Sequence, residues 1–451
     1  MIEYIVLTNF LSFKERTVFG LKATKEKPRG TLVDNDWWID IDDTKVLKAV
    51  FLLGNNGSGK TNFLNGLSVL NELITVSRES KLATRYKLPD VTFKLADETK
   101  QSPSIIEVAF HTAGYRYYYY ISWTTDHIVE ERLSRQEGKK RERLIYTRGF
   151  SYVKDIVEVI FPHSTTISKP VQELIKQNVL KNASVISIYD NKNIECEDIR
   201  NVYSYFEYTN LWNVKKYELA AMLASRSTES LLKPILLAIL KELGSTICDY
   251  KVDTIAFDIT EDEQDFLLTR MSEDEYRSRF PDNKRTVQKL QFGYKVVGKE
   301  DKIWLPESLE SEGTLEAIRL IIVLFDCIWR RTPIAIDECA QSIHPKALEF
   351  ILSFFLKSAD MAQVFIASQA LVLLKWKSLR RDALRFFEKD TDTGCSTFST
   401  INNRTLHRNN QIYELYMNKT FGGDVDIMEK EPWKETLDRV SRCMVKRIWE
   451  E

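Results

Sequence analysis

The run Gly54-Asn55-Asn56-Gly57-Ser58-Gly59-Lys60-Thr61 fits the G-x-x-x-x-G-K-[ST] phosphate-binding loop and constrains the chain more than any other stretch. It follows the mostly apolar residues 47–53 and precedes a segment of helical spacing that starts near Asn62. In the order strand, glycine-rich loop and helix, successive backbone N–H groups point at phosphate oxygens. Lys60 can then reach the β- and γ-phosphates, and the Thr61 hydroxyl can ligate magnesium. The expected fold class is α/β, and the expected ligand is ATP or GTP.

With 451 residues, the chain has room for two or three domains, or for one nucleotide-binding core carrying a large insertion. Charged residues make up 29% of it but almost cancel, leaving a net charge of −1, so its overall field attracts neither nucleic acid nor anionic membrane. The cysteines at 196, 248, 327, 339, 395 and 443 form no CxxC pair, which argues against a zinc ribbon or a disulfide framework and suits a reducing cytoplasm. Glu3 stands where a signal peptide carries basic residues, and the longest apolar run, around residues 318–324, is broken by Asp326. The expectation is a soluble cytoplasmic protein without a membrane span.

Tyr4-Ile5-Val6-Leu7 reads as a strand turning at Asn9-Phe10-Leu11-Ser12-Phe13, and residues 25–45 read as a loop. After the phosphate loop, Phe63, Leu64, Leu67, Leu70 and Leu73 recur at helical spacing. Residues 105–110 and 115–123 read as paired strands about Thr112-Ala113-Gly114. The four tyrosines Tyr117 to Tyr120 suit the two faces of a strand better than a platform for stacked bases. From about 151 to 250 the pattern turns helical, as in Leu231, Leu232, Ile235, Leu236, Ile239 and Leu240, which predicts an inserted helical subdomain. Residues 261–289 are highly charged without clear period and read as a loop or mobile excursion before a strand at 292–297. No heptad pattern lasts long enough for a coiled-coil arm.

Downstream, Pro333-Ile334-Ala335-Ile336-Asp337-Glu338 has the pattern of a buried strand ending in two acids. In phosphate-loop enzymes the first such acid holds magnesium, and an adjacent glutamate can orient and deprotonate the attacking water; Asp337 and Glu338 take these roles. Upstream, Glu310-Ser311-Glu312-Gly313-Thr314 precedes an apolar helix with Leu315, Ile318, Leu320, Ile321 and Leu324. Ser311 and Gly313 at a helix N-terminus make an anion site, because free N–H groups and the helix dipole favour negative charge.

This order of motifs resembles the stand-alone ABC-type ATPases often catalogued among AAA proteins, related to the ATPase domain of the overcoming-lysogenization-defect (OLD) family and more distantly to RecF and SMC heads. The resemblance rests on residues 9–13, the phosphate loop with Asn62, residues 310–314, Ile336-Asp337-Glu338 with Ile343-His344-Pro345, residues 387–390, and residues 416–423. It implies an ABC-type P-loop NTPase with a two-lobed core of mixed sheet and helices and no long coiled-coil arm. The implied boundaries are 1–150 for a first lobe with the phosphate loop, 151–300 for the helical insertion and connecting strands, 301–424 for a second lobe with signature and acidic strand, and 425–451 for a C-terminal amphipathic helix. It also implies ATP with Mg2+ as cofactors. Pairing into a homodimer or higher homo-oligomer would sandwich ATP, with Ser311 and Gly313 closing over the nucleotide held by the opposite protomer. Such proteins commonly serve bacterial anti-phage defence with a nuclease effector.

Two departures stand out. Where the family ends its next strand with Thr-Thr-His, this chain has Ala367-Ser368-Gln369. Gln369 can donate a hydrogen bond to the γ-phosphate but carries no imidazolium charge, which favours slow hydrolysis. The signature has Glu312 in place of glycine, an anion that weakens closure unless its side chain points away. His344 has no second histidine or cysteine at ligand spacing and reads as a turn residue.

The roughly 100 residues after the acidic strand hold no nuclease-like acid or histidine cluster and are too few for another full domain, so an effector is expected as a separate polypeptide. Trp433, Leu437, Val440, Met444 and Ile448 fall along one face of the C-terminal helix, suited either to a partner or to the chain's own core. Basic clusters at Lys139-Lys140-Arg141 with Arg143, and at Lys375-Trp376-Lys377 with Arg380-Arg381, read first as solvated surface and second as DNA contacts. The leading functional expectation is an ATPase switch for a defence effector. Its competitors are an ATP-dependent DNA clamp in repair or chromosome maintenance, and a nucleotide-dependent scaffold that does not hydrolyse.

Overall fold

The computed structural model describes residues 1–26, 32, 34–76, 87–209, 211–213, 218–224, 229–299, 301–338, 341–369, 371–401 and 412–417. Residues 418–423 of the late Phe-Gly-Gly motif and the amphipathic helix expected at 425–451 lie outside the described residues.

The fold is α/β, built around two large sheets. A six-stranded sheet runs in the order Leu211–Asn213, Pro333–Asp337, Gln363–Ala367, Ala49–Gly54, Leu384–Lys389, Ser396–Ser399. The first five strands are parallel and the last is antiparallel. Its three central strands, Pro333–Asp337, Gln363–Ala367 and Ala49–Gly54, are buried along their whole length. Strands covered on both faces are expected to be continuously apolar rather than alternating, and these are, apart from Asp337 and Gln363 at strand ends. A seven-stranded antiparallel sheet runs Ile156–Ile160, Arg143–Ser151, Ile128–Gln136, Tyr115–Trp123, Ser104–Thr112, Ile2–Thr8, Thr17–Gly20. The tyrosine run lies in it as a strand: Tyr117 and Tyr119 are buried and donate to the Asp198 and Glu131 carboxylates at 2.9 and 3.0 Å, while Tyr118 and Tyr120 face the other side.

One buried amide ties the two sheets together. The Gln363 side chain donates to the carbonyls of Ile2 and Leu47 at 3.0 and 2.9 Å and accepts the Ile2 N–H at 2.8 Å. The helix Lys60–Thr75 packs into the core through Phe63, Leu64, Leu67, Leu70 and Leu73, all buried as their spacing predicts. Each such side chain contributes about 1.5–3 kcal/mol of hydrophobic stabilisation. That anchorage is what holds the loop in front of the helix in place.

Two stretches depart from the sequence reading. Residues 25–45 are not simply a loop: a single helical turn, Asp34–Trp37, leads into the hairpin Trp38–Ile41 and Thr44–Leu47. Its turn residues Asp42 and Asp43 have φ of 52° and 64°, the left-handed pair of a type I′ turn, which is usually signalled by Asn-Gly or Asp-Gly. Residues 261–289 are likewise structured. Strand Ile247–Asp258 pairs along its length with Lys284–Lys295, and helices Glu261–Leu268 and Glu273–Arg279 cap the far end of this ribbon. Thr260 and Ser272 accept the N–H groups of Glu263 and Glu275, so both helices carry Ser/Thr-x-x-Glu start signals. The stretch 151–250 holds the helices Lys169–Asn178, Glu197–Glu207, Leu219–Leu223 and Glu229–Glu242 together with strands at 156–160 and 211–213.

The longest helix among the described residues, Glu312–Arg330, has 19 residues, and no coiled-coil arm is present there. Among the same residues, no helix is long and apolar enough to cross a membrane. Cys196, Cys248, Cys327 and Cys395 are free thiols.

Candidate nucleotide site

Because the central strands run parallel, their carboxyl ends open on one side of the sheet, the place where such sheets bind ligands. Three of those ends meet there: Gly54 of the phosphate-loop strand, Asp337 of the acidic strand, and Ala367 of the strand between them. The residues that follow them line a cavity of about 310 Å³. Asn56 to Asn62 form one wall, Asp337 and Glu338 another, and Ala367, Ser368 and Gln369 the floor between them. Sequence positions more than 300 residues apart are thus gathered by strand order alone.

The loop has its shape because glycines stand where φ is positive, and two of them also leave no room for a side chain. Gly54, Gly57 and Gly59 have φ of 143°, 75° and 108°. A Cβ on Gly54 would lie 2.3 Å from the Phe387 carbonyl oxygen, and one on Gly59 would lie 2.4 Å from the Ser396 hydroxyl. Gly54→Ala is therefore expected to displace the loop, costing about 1–3 kcal/mol in backbone strain alone. Thermal unfolding and calorimetric ATP titration should show both lower stability and weaker binding.

Lys60 is only 7% exposed. Its ammonium donates to the carbonyls of Gly54 and Asn55 at 2.6 and 2.7 Å and reaches the Ser58 hydroxyl at 3.4 Å. Burial lowers its pKa from the ordinary lysine value, and the nearby Asp337 and Glu338 oppose that shift. Gly54 and Asn55 thus serve the site by holding Lys60 and do not line the cavity. The Thr61 hydroxyl donates to Asp337 Oδ2 at 2.9 Å, so the two expected magnesium ligands are adjacent. A hydroxyl and a carboxylate are hard oxygen donors of the kind Mg2+ prefers, with phosphates and water completing its shell. Among the described residues, no cluster of three His, Cys, Asp or Glu side chains suggests another metal.

Glu338 is exposed to the cavity and has φ of 55°, outside the range most residues adopt, with its N–H on Asp337 Oδ1 at 3.1 Å. Strained conformations of this kind concentrate at functional positions. Gln369, just past the middle strand, is also exposed on the cavity.

Residues 49–150 match the family model described as "AAA domain, putative AbiEii toxin, Type IV TA system". The matched segment includes the phosphate loop and ends well before the signature and the acidic strand. No curated protein shows a significant match. Among solved structures, the SMC head domain from Thermotoga maritima is similar at 10% identity and a TM-score of 0.40, covering 89% of this chain and 99% of that one. An Smc head domain with an extended coiled coil, bound to the C-terminal domain of ScpA and derived from Pyrococcus furiosus, is similar at 11% identity and a TM-score of 0.37, covering 89% and 96%.

Ser311 and Gly313 do not line the cavity. Ser311 caps the helix Glu312–Arg330, accepting the Thr314 N–H at 3.1 Å. Gly313 packs so tightly that an added Cβ would meet the Ser342 carbonyl oxygen at 2.7 Å. Glu316, fully buried on the same helix, accepts the N–H groups of Gln341 and Ser342 at 3.2 and 2.8 Å. The sequence reading passed over Glu316, although an acid between Leu315 and the apolar run Ala317-Ile318 is a visible sign of a buried partner. The signature is therefore fastened, within its own chain, to the segment that begins three residues after Glu338. His344 continues that segment as the cap of helix Pro345–Ser358, with Nδ1 accepting the Lys346 N–H at 3.3 Å.

Ser12 and Ser396, which the sequence reading did not assign to the site, buttress the loop from behind. Asn62 Nδ2 donates to the Ser12 hydroxyl at 2.7 Å, and the Ser396 N–H donates to the Ser12 carbonyl at 2.7 Å.

The second basic cluster is a surface patch only at Lys375 and Lys377, which are exposed. Trp376, Arg380 and Arg381 are buried. Arg380 pairs with Asp382 at 2.7 Å and donates to the carbonyls of Thr24 and Glu26, and Arg381 faces Glu26 at 3.8 Å. These cations tie residues 24–26 to the core and are spent there. Lys139 and Lys140 remain exposed and pair with Asp43 and Glu137.

Proposed function

We propose that the chain is an ABC-type ATPase that binds Mg2+·ATP at Lys60, Thr61 and Asp337, uses Glu338 as general base, and completes its site with Ser311 and Gly313 of a second protomer. The observation that carries this reading is the convergence of Lys60, the Thr61–Asp337 pair, Glu338 and Gln369 on one cavity. The signature residues lie off that cavity, as a site completed in trans requires.

The chemistry follows from these positions. Backbone N–H groups of residues 56–61 and the Lys60 ammonium neutralise the triphosphate, and Mg2+ would supply further charge neutralisation. Glu338 takes the proton of a water aligned behind the γ-phosphate. Gln369 donates a hydrogen bond toward the γ-phosphate without bringing a charge, so turnover is slow. Glu338→Gln is expected to bind ATP like the parent chain and to lower steady-state hydrolysis by about a hundredfold or more. Hydrolysis at the parental rate would remove Glu338 from the role of base.

In this reading the ATP-bound pair is a switch for a separate effector, a nuclease, in anti-phage defence in the cytoplasm. The description of the matched family, which names a putative toxin of a type IV TA system, supports a regulatory output. A phage-challenge assay with the chain and its genomic neighbours, comparing the parent with Lys60→Ala, tests it: equal protection would sink the defence role. The DNA clamp is the weaker reading because Arg380 and Arg381 are engaged internally. Salt-sensitive, ATP-dependent DNA binding would restore it.

A further inference from the structure

A helix N-terminus attracts an anion through its free N–H groups and the positive end of its dipole. Here that attraction is opposed, because residues 307–316 contain four glutamates, Glu307, Glu310, Glu312 and Glu316, and no lysine or arginine. Two of the four are engaged locally. Glu316 is buried on the N–H groups of residues 341 and 342, and Glu310 accepts the Tyr294 hydroxyl. Glu312 pairs with Arg319, two turns further along its own helix, and the same guanidinium acts electrostatically on Glu307, which precedes the helix.

Arg319 Nη1 lies 3.6 Å from Glu312 Oε1, and its side chain is 14% exposed against 58% for the glutamate. Burial raises the Glu307 carboxyl above its ordinary value, and the Arg319 charge opposes that rise. The Arg319 Nε is buried and has no hydrogen-bond partner among the described residues. Among the described residues, the ion pair with Glu312 is the polar contact that this arginine makes.

We infer that Arg319 is a positioning residue for the composite site: by neutralising Glu312, the carboxylate that stands where the signature pattern has glycine, it lets the helix N-terminus accept the triphosphate held by the opposite protomer. This inference rests on the trans-completed site proposed above. The departure at Glu312 and the arginine at 319 then form one compensated pair.

The test measures ATP-dependent pairing by sedimentation velocity in the Glu338→Gln background, where bound ATP is retained. Adding Arg319→Gln is expected to weaken pairing about three- to tenfold at low salt, the range of a partly exposed charge pair, with the loss shrinking as salt rises. ATP affinity of the single chain should not change. Adding Glu312→Gly to Arg319→Gln should restore pairing to within about twofold, because the charge that needed neutralising is gone. Lost packing would not be recovered this way, since deleting Glu312 returns none of the contacts of Arg319. Arg319→Lys, which keeps the charge, should pair nearly as the parent does and covers the case in which Arg319→Gln unfolds. If the double variant pairs as poorly as Arg319→Gln, or if Arg319→Gln pairs as well as its parent, the inference is wrong while the composite site stands. A parent that binds ATP yet never pairs in its presence overturns the composite site, and this inference with it.

Discussion

Lys60→Ala is expected to lower ATP affinity by at least about a hundredfold, the scale for removing one partner from a buried, hydrogen-bonded charge interaction. Two observations set the size of the effect. The ammonium is almost fully buried in the loop, so its charge acts on a bound phosphate with little screening by water. Among the described residues that line the cavity it is also the one cation, beside backbone N–H groups, hydroxyls, amides and two carboxylates. Without it, Asp337 and Glu338 face the triphosphate with magnesium as the remaining positive charge. The variant should still fold, since Phe63, Leu64 and Leu67 anchor the helix regardless. Calorimetry with Mg2+·ATP, alongside a thermal-unfolding control, checks this, and unchanged affinity in a folded variant would mean the nucleotide binds elsewhere.

What could be read from the chain alone follows how local the determining physics is. The phosphate loop, its strand and its helix occupy 27 consecutive positions, Ala49 to Thr75, and each part has a local cause: an apolar run, glycines at positive φ, and a five-residue helical stripe. The acidic strand was equally legible, because a short apolar run ending in Asp337-Glu338 has few other readings. The family resemblance brought Gln369 to attention, as the residue that stands where the family has histidine, and strand order sets it on the cavity.

The unread parts depend on long-range partners or weak signals. The hairpin at 38–47 has four-residue strands and a turn made by two aspartates, so neither alternation nor a glycine announced it. The ribbon 247–295 is exposed on both faces over its outer half, which erases the inside–outside alternation that marks a strand. Its capping signals at Thr260 and Ser272 were present and were the one local clue. Arg380 and Arg381 look solvated in sequence because their partners include Glu26, more than 350 positions away. Charge runs reveal composition, whereas burial of a charge is decided by the fold.

The largest effect on catalysis that leaves each chain's own phosphate loop untouched is expected at Ser311. Gly313 is a poor place to probe the trans contact, because any side chain there collides with Ser342 within its own chain. Ser311→Asp avoids that problem: aspartate caps a helix about as well as serine, so the bond to the Thr314 N–H survives, while the new carboxylate faces the incoming phosphate. Ser311→Asp alone should bind ATP normally and lose nearly all hydrolysis. Mixed with Lys60→Ala, whose own phosphate loop is expected to bind ATP too weakly to fill, it should regain activity, because in a mixed pair the intact phosphate loop of the Ser311→Asp chain meets the intact signature of the Lys60→Ala chain. With random pairing and independent sites, recovery approaches roughly a quarter of the parental rate. Recovery well below that, in mixtures where mixed pairs are shown to form, would mean that the two sites fire only together. The buried link from Glu316 to residues 341 and 342, close behind Glu338, is the physical route by which one chain's two half-sites would sense each other. Full activity in Ser311→Asp alone would show that the signature takes no part in hydrolysis.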